Sequence, residues 1–118
     1  MNVFGIRIIL MDKKIFELHA DVCKMLAHPL RLEMLFHLSD GELSVNELSK
    51  RTGARMANIS QHLALMRQQG IVTTRKDGVK VYYRVANKKT LKAFELMREV
   101  LLERLRSTEE LADSLSEM

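Results

Sequence analysis

Cysteine is scarce in this sequence, because Cys23 is the single one among 118 residues. An intrachain disulfide and a cysteine-rich zinc finger both need more than one cysteine, so neither can form. A reducing compartment is then the default, and we expect a cytoplasmic protein. Tryptophan is absent and aromatic residues make up 5%, so the core must be aliphatic, with Leu, Ile, Val and the eight Met as its material.

Long apolar runs are absent as well. The apolar stretch over residues 1–10 is interrupted by Arg7 and is far shorter than the roughly 20 residues that a membrane-spanning helix needs. No small-residue cleavage site follows it, so a secretory signal is not indicated. We expect no membrane association, an N-terminal arm over residues 1–11, and a single domain over residues 1–118.

Positive charge is concentrated in the middle of the chain. Residues 51–92 contain ten basic side chains and one acid, Asp77, whereas residues 1–50 and 93–118 are each net negative. The overall net charge of +4 hides this asymmetry. A middle segment with almost only positive charges favours a polyanionic partner, and nucleic acid is the leading candidate. A basic surface that merely faces solvent would have the same composition.

Apolar residues recur at helical spacing over most of the chain. The spacing predicts helices over residues 12–26, 29–38, 45–52, 54–69 and 88–106. Pro29 suits the first turn of a helix, and Ser44 with Glu47 forms a capping-box pattern. Gly53 and Gly70 follow predicted helix ends. The acidic end, residues 107–118, reads either as a short helix or as a frayed tail.

Between the fourth and fifth predicted helices, apolar residues occur at every second position, as in a β-strand. They are Val79, Val81, Tyr83 and Val85, which alternate with polar residues. A β-rich run precedes them, and Asp77-Gly78 is the expected two-residue loop between two strands. The sequence therefore predicts a β-hairpin over residues 71–86. The fold class is α+β and mostly helical, with four helices, the hairpin and one long C-terminal helix.

Residues 45–69 match a helix-turn-helix, since two short helices flank a turn containing Gly53. The second of them has an apolar inner stripe and an outer face of polar and basic residues without an acid. Such side chains can read base edges in the major groove of DNA, although they would also suit an ordinary solvated face. The candidate DNA-binding residues on this helix are Arg55, Asn58, Ser60, Gln61, His62 and Arg67.

The hairpin adds a second basic surface. Its candidate DNA-binding residues are Arg75, Lys76, Lys80 and Arg84, which flank the turn. We expect these side chains to contact phosphates, which fixes the position of a protein on DNA and carries little sequence information. Binding that depends on such contacts weakens steeply with salt.

The sequence resembles the ArsR/SmtB family of winged helix-turn-helix repressors over residues 21–102. The resemblance is carried by Leu26-Ala27-His28-Pro29-Leu30-Arg31-Leu32, Gly41-Glu42-Leu43-Ser44-Val45-Asn46-Glu47-Leu48, Ser60-Gln61-His62-Leu63-Ala64-Leu65-Met66-Arg67, Gly70-Ile71-Val72, Arg75-Lys76-Asp77-Gly78 and Val81-Tyr82-Tyr83-Arg84. It implies a winged helix-turn-helix homodimer that represses its own operon and leaves a palindromic operator when an inducer binds. It also implies that the first and last helices, residues 12–27 and 88–106, form the dimer interface.

The sequence departs from the metal-sensing members of that family. Ser44 and Asn46 stand where those members often carry cysteines, and no histidine lies beyond His62 for a site on the last helix. Neither familiar metal site can be built, so we expect no metal cofactor. The sequence is similar to the branch of the family that lost metal sensing, which includes members responding to redox or sulfur species.

Cys23 is the candidate redox-sensing residue. Three interpretations stay open for it: a disulfide between two chains, a modified thiol, or an inert buried residue, the last favoured because free cysteines are so often buried. His19 and Cys23 are spaced to hold a soft metal together, but two ligands are too few without a partner chain.

The sequence thus predicts a DNA-binding transcriptional regulator, a repressor released from a palindromic operator by an unknown non-metal signal, for which a redox signal is one candidate. Its partners would be double-stranded DNA and a second copy of the chain. The alternatives are a metal-responsive repressor with an atypical site, a sequence-tolerant architectural DNA-binding protein, and a module whose basic face meets an acidic protein. No catalytic constellation is recognisable, so an enzyme is not expected.

Overall fold

The computed structural model describes residues 12–116, apart from the side chains of residues 109–112. Its elements are α1 (Lys13–Leu26), α2 (Pro29–His37), a 3-10 turn (Leu38–Asp40), β1 (Leu43–Ser44), α3 (Val45–Thr52), α4 (Met56–Gln68), β2 (Val72–Asp77), β3 (Lys80–Val85), α5 (Lys88–Arg106) and α6 (Glu109–Ser116). The five predicted helices and the hairpin are all present. The acidic end is helical over Glu109–Ser116, and the N-terminal arm predicted over residues 1–11 lies outside the described residues.

The turn between α3 and α4 is longer than predicted, because α4 begins at Met56 rather than at Ala54. Gly53 adopts a left-handed conformation with φ of 77°, which ends α3. The Ser49 hydroxyl donates to the Ala54 carbonyl at 2.6 Å, and the Ala54 N–H donates to the Thr52 hydroxyl at 3.2 Å. These bonds hold the turn and set the direction in which α4 leaves it.

The capping box predicted at the start of α3 is confirmed. The Glu47 N–H donates to the Ser44 hydroxyl at 3.2 Å, and the Ser44 N–H donates to the Glu47 carboxylate at 3.1 Å. The reciprocal bonds satisfy N–H groups that have no partner inside the helix. Because the carboxylate accepts from the Ser44 N–H, the pKa of Glu47 lies below its ordinary value.

The hairpin loop is Gly78-Val79, so its prediction as Asp77-Gly78 was wrong by one residue. Asp77 instead pairs with Lys80 at the end of the ladder. Gly78 has φ of 62°, whereas Val79 has no positive φ. A positive φ at the first loop position alone is the requirement of a type II′ turn, which needs glycine there. The turn type therefore decided the register.

A third strand was not predicted. β1 pairs antiparallel with β3, and the strand order in the sheet is β1-β3-β2. β1 contains two residues, too few for an alternating pattern to be visible in the sequence. It ties the hairpin to the residues that immediately precede α3.

The core lies between α2, α3, α4 and the base of the hairpin. It is aliphatic, as predicted, and its buried members are Leu26, Met34, Leu35, Leu38, Leu43, Leu48, Ile59, Leu63, Met66 and Val72. Within the described side chains, no polar group is buried. This core fixes the helix-turn-helix as a rigid unit.

Apolar residues on α1 and α5 remain uncovered. α5 has no buried residue along its described length, and Met97, predicted as core filling, is 58% exposed. The large exposed apolar side chains on these two helices are Ile15, Phe16, Leu18, Leu96, Met97, Val100, Leu101 and Leu102. We call this set the apolar α1/α5 face. Exposed large apolar side chains of this kind are found at interaction sites in many proteins.

No helix between residues 12 and 116 is long and apolar enough to cross a membrane.

Candidate nucleic-acid interface

The outer face of α4 is polar and free of acidic residues. Ile59, Leu63 and Met66 are fully buried and anchor the inner side of the helix against the core. With the inner side fixed, five candidate residues are exposed: Arg55, Asn58, Ser60, Gln61 and Arg67. All but Arg67 line one open depression at the turn and the first part of α4.

The N-terminus of α4 lacks a capping side chain. Arg55 is the N-cap residue and, within the described structure, contributes no side-chain acceptor to the first turn. The first N–H groups of a helix have no intrahelical partner, and they attract anions. Arg55 adds a full positive charge at the same place, so this helix end is suited to a phosphate group.

Replacing Arg55 with serine is expected to stabilise the fold and to weaken DNA binding together. A serine hydroxyl at the N-cap can accept from the N–H groups of the first turn, which typically stabilises a helix by about 0.5–1 kcal/mol. The variant loses the arginine charge at the same time. Urea unfolding and titration of a DNA duplex measure the two effects. In the control variant Arg55→Ala, DNA binding weakens without the gain in stability; an Arg55→Ser protein with unchanged DNA affinity would contradict the assignment.

His62 does not lie on the outer face, which departs from the prediction. It is only partly exposed, and its Nδ1 accepts from Nε of Arg31 on α2 at 2.9 Å. Its ring also packs against that of His28, with 4.6 Å between the ring centroids. The physical reason is helical geometry, since His62 precedes the buried Leu63 and follows Ile59 by three positions. We therefore remove His62 from the set of base-reading residues.

The surroundings of His62 favour its neutral form. Desolvation is the main cause of its lowered pKa, and the nearby His28 and Arg31 add to the shift. A neutral imidazole that accepts at Nδ1 carries its proton on Nε2. The hydrogen bond from Arg31 thus fixes the tautomer of His62 as well as its orientation.

The basic residues of the hairpin do not form one surface. Strand alternation places Arg75, Lys80 and Arg84 on the outer side of the sheet and Lys76 on the side of Val72 and Tyr83. All four are exposed. Lys76 and Lys80 lie near the tip, whereas Arg84 lies near the base, where its Nε donates to the Thr73 hydroxyl at 3.2 Å.

Arg75 is already engaged with Glu42, a residue that the sequence patterns did not single out. Nε of Arg75 donates to both carboxylate oxygens of Glu42, at 3.0 and 3.1 Å, and its guanidinium lies 4.9 Å from the centre of the Tyr82 ring. The hydrogen bonds from Arg75 hold the pKa of Glu42 below its ordinary value. The positive charge of Arg75 is therefore paired within the protein.

Cys23 is exposed on α1, so its favoured interpretation as a buried residue was wrong for the single chain. It lies one heptad after Phe16, on the same side of the helix. Among the side chains that the structure describes, no group of three or more His, Cys, Asp or Glu could hold a metal ion.

Two helices joined by a tight turn, followed directly by a β-hairpin, define a winged helix-turn-helix protein. Comparison with known proteins places it more narrowly. The model of the family described as "Bacterial regulatory protein, arsR family" matches residues 28–74. The chain belongs to this family and is a DNA-binding transcriptional regulator.

Individual relatives agree with that placement. The biofilm growth-associated repressor of Agrobacterium fabrum is 38% identical over 87 residues, which are 74% of this chain and 74% of that protein. The HTH-type transcriptional regulator KmtR of Mycobacterium tuberculosis is 43% identical over 67 residues, but these are 57% of this chain and 52% of KmtR. The chain thus spans about half the length of KmtR.

A solved structure shows the same fold. It is a homodimeric winged helix-turn-helix DNA-binding domain from Mycobacterium bovis, with a TM-score of 0.73 and 30% sequence identity. The match covers 81% of this chain and 89% of that domain.

Proposed function

We propose that this chain is a homodimeric repressor that binds a specific DNA operator through α4 and the β2–β3 hairpin. The observation that carries the proposal is the outer face of α4, where exposed Asn58 and Gln61 lie beside Arg55 on a helix without acidic residues. Asn and Gln can form paired hydrogen bonds with adenine, and Ser60 can bond to a base or a phosphate.

The basic residues fix the position of α4 on the duplex. Arg55 and Arg67 lie at the two ends of α4, while Lys76 and Lys80 lie near the tip of the hairpin and Arg84 near its base. These exposed cations would contact phosphates on either side of the groove. Arg75 would contribute less, because its guanidinium already pairs with Glu42.

A second copy of the chain is the partner that we propose for the apolar α1/α5 face. The similar domain from M. bovis is described as homodimeric, and large apolar side chains are exposed on both helices here. A two-fold dimer presents two copies of α4 to half-sites about one helical turn apart, which predicts a palindromic operator. Such a regulator would act in the cytoplasm, where bacterial DNA is accessible.

We infer repression, rather than activation, from the similar A. fabrum protein, which is called a repressor.

For the releasing signal we propose a non-metal inducer, and Cys23 is the thiol to test because it is exposed in the single chain. Bound DNA would be challenged with an oxidant, a polysulfide and zinc, for the natural protein and for Cys23→Ser. Release by oxidant or polysulfide that the variant abolishes supports a redox signal, whereas release by zinc alone supports a metal-responsive repressor.

The proposed function is tested by selecting bound duplexes from a randomised pool and from genomic fragments. We expect a palindrome upstream of one or a few genes, and lower reporter expression when the protein is present. A pool that stays random would indicate an architectural DNA-binding protein. Failure to retain DNA at low salt would indicate a protein-interaction module.

Lys80→Ala is expected to weaken binding to the operator and to random duplex by the same factor. Loss of one phosphate contact per protomer lowers the slope of log affinity against log salt by about 0.9 for each contact. Arg75→Ala should have a smaller effect because of the ion pair with Glu42, and Lys92→Ala on α5 serves as the charge-matched control. The measurement is a salt titration of fluorescence anisotropy; an unchanged slope for Lys80→Ala would exclude the contact.

A further inference from the structure

Two side chains from the start of α2 converge on one residue of α4. Arg31 donates from Nε to Nδ1 of His62 at 2.9 Å and, through its NH1 group, to the backbone carbonyl of Met25. His28 packs its ring against His62 and accepts from the Leu30 N–H at 3.2 Å, which caps α2. One guanidinium therefore bridges the C-terminal end of α1 and the helix that carries Gln61.

The bridge connects groups that would otherwise lack partners. Met25 supplies one of the last four carbonyls of α1, which have no N–H donor inside the helix. A guanidinium has five N–H donors in a rigid planar fork, so a single arginine can hold both acceptors in a fixed geometry. A lysine ammonium is a point charge on a flexible stem and cannot reproduce that geometry.

We propose that Arg31 is a positioning residue that sets the orientation of α4 through His62, and that sequence-specific DNA binding depends on this link. The inference rests on the proposed function of α4 in the major groove. His62 adjoins Gln61 in the chain, so a small rotation of α4 about its axis displaces the Gln61 amide from a base edge. Hydrogen bonds to bases fail within a fraction of an ångström, whereas phosphate attraction tolerates such shifts.

The arrangement also connects DNA reading to the α1/α5 face. α1 carries part of that face, and its last turn is held by Arg31. A change in the packing of α1 would thus reach α4 through one side chain. This gives a physical route by which an event at the subunit contact alters DNA binding without touching the DNA-binding face.

The first test compares Arg31→Gln with the natural protein on the selected operator and on random duplex. We expect operator affinity to fall about 10-fold, equivalent to about 1.4 kcal/mol, while affinity for random duplex and the salt slope stay unchanged. An unchanged operator affinity overturns the proposal. Equal losses on both duplexes, with a salt slope lowered by about 0.9 per protomer, overturn it too, because Arg31 would then be a phosphate contact.

The second test uses His62→Asn, whose side-chain oxygen replaces Nδ1 as the acceptor and does not titrate. Operator affinity should stay near that of the natural protein at neutral pH. In the natural protein it should fall in acid, because a proton on Nδ1 faces Arg31 and His28. The surroundings lower the pKa of His62, so the fall should lie below the ordinary imidazole pKa of about 6.5. In His62→Asn this fall should be absent. Equal pH profiles for the two proteins would contradict the assigned contact.

A third measurement does not depend on DNA. Amide hydrogen exchange of the free proteins should be faster in α4 of Arg31→Gln, and in Arg31→Lys, than in the natural protein, with the core of α3 unchanged. If the natural protein prefers no sequence, the proposed function fails while this measurement still tests the link. Unchanged exchange in α4 would overturn the link itself. Should Arg31→Gln not fold, Arg31→Lys replaces it in the DNA-affinity and hydrogen-exchange comparisons.

Discussion

Replacing Met97 with glutamate is expected to convert the protein to monomers and to reduce operator affinity by more than about 100-fold, equivalent to about 2.7 kcal/mol. Met97 lies in the apolar α1/α5 face with 58% of its surface exposed. In a dimer that covers this face, each protomer would bury an unpaired carboxylate, which costs several kcal/mol. A monomer holds one half-site and loses the second copy of α4.

The fold itself should survive that change, because Met97 is not part of the core. Lys92→Gln is the matched control, since it also lowers the net charge by one and lies on the same helix outside the apolar face. Sedimentation and operator titration would be run on both variants. A Met97→Glu protein that sediments as a dimer and keeps its operator affinity would exclude this face as the subunit contact.

Gln61→Ala has the second largest expected effect. A paired hydrogen bond from a glutamine to an adenine discriminates bases by about 1–3 kcal/mol, so operator affinity should fall about 10- to 100-fold. Affinity for random duplex should change by less than about two-fold, because Gln61 carries no charge and phosphate attraction is retained. Selection with the variant should also relax the preference at one base pair in each half-site.

The control for Gln61→Ala is Gln69→Ala, an exposed glutamine that follows the last residue of α4. In a helix-turn-helix, residues near the start of the second helix contact the bases. The control should therefore bind both duplexes normally. Comparable losses on operator and random duplex for Gln61→Ala would refute its role in base reading.

Much of the architecture was predictable from the sequence. The signals were local and strong: Pro29 at a helix start, the Ser44–Glu47 capping box, Gly53 at a helix end, and the change of period in the hairpin. Each of these residues affects the backbone only within a few positions of itself, so its effect can be predicted without knowing which distant residues it contacts. The family resemblance, confirmed by the comparisons, then gave the winged helix-turn-helix arrangement.

What the sequence could not give were contacts between distant residues. Arg31 and His62 are 31 positions apart and Glu42 and Arg75 are 33, so neither pair leaves a periodic signal. Both pairs changed the interpretation of the candidate site, since one turns His62 toward α2 and the other balances the charge of Arg75. The single-residue shift of the hairpin loop had another cause, because a type II′ turn needs glycine at its first position.

The central claim, that two copies of α4 read a palindrome, is tested most directly by footprinting the selected operator with the natural protein. We expect two protected major-groove segments about 10 base pairs apart, centre to centre, with protected phosphates outside each one. In Gln61→Ala the base protection should disappear before the phosphate protection. A footprint without two symmetric segments, or protection of phosphates alone, would contradict the claim.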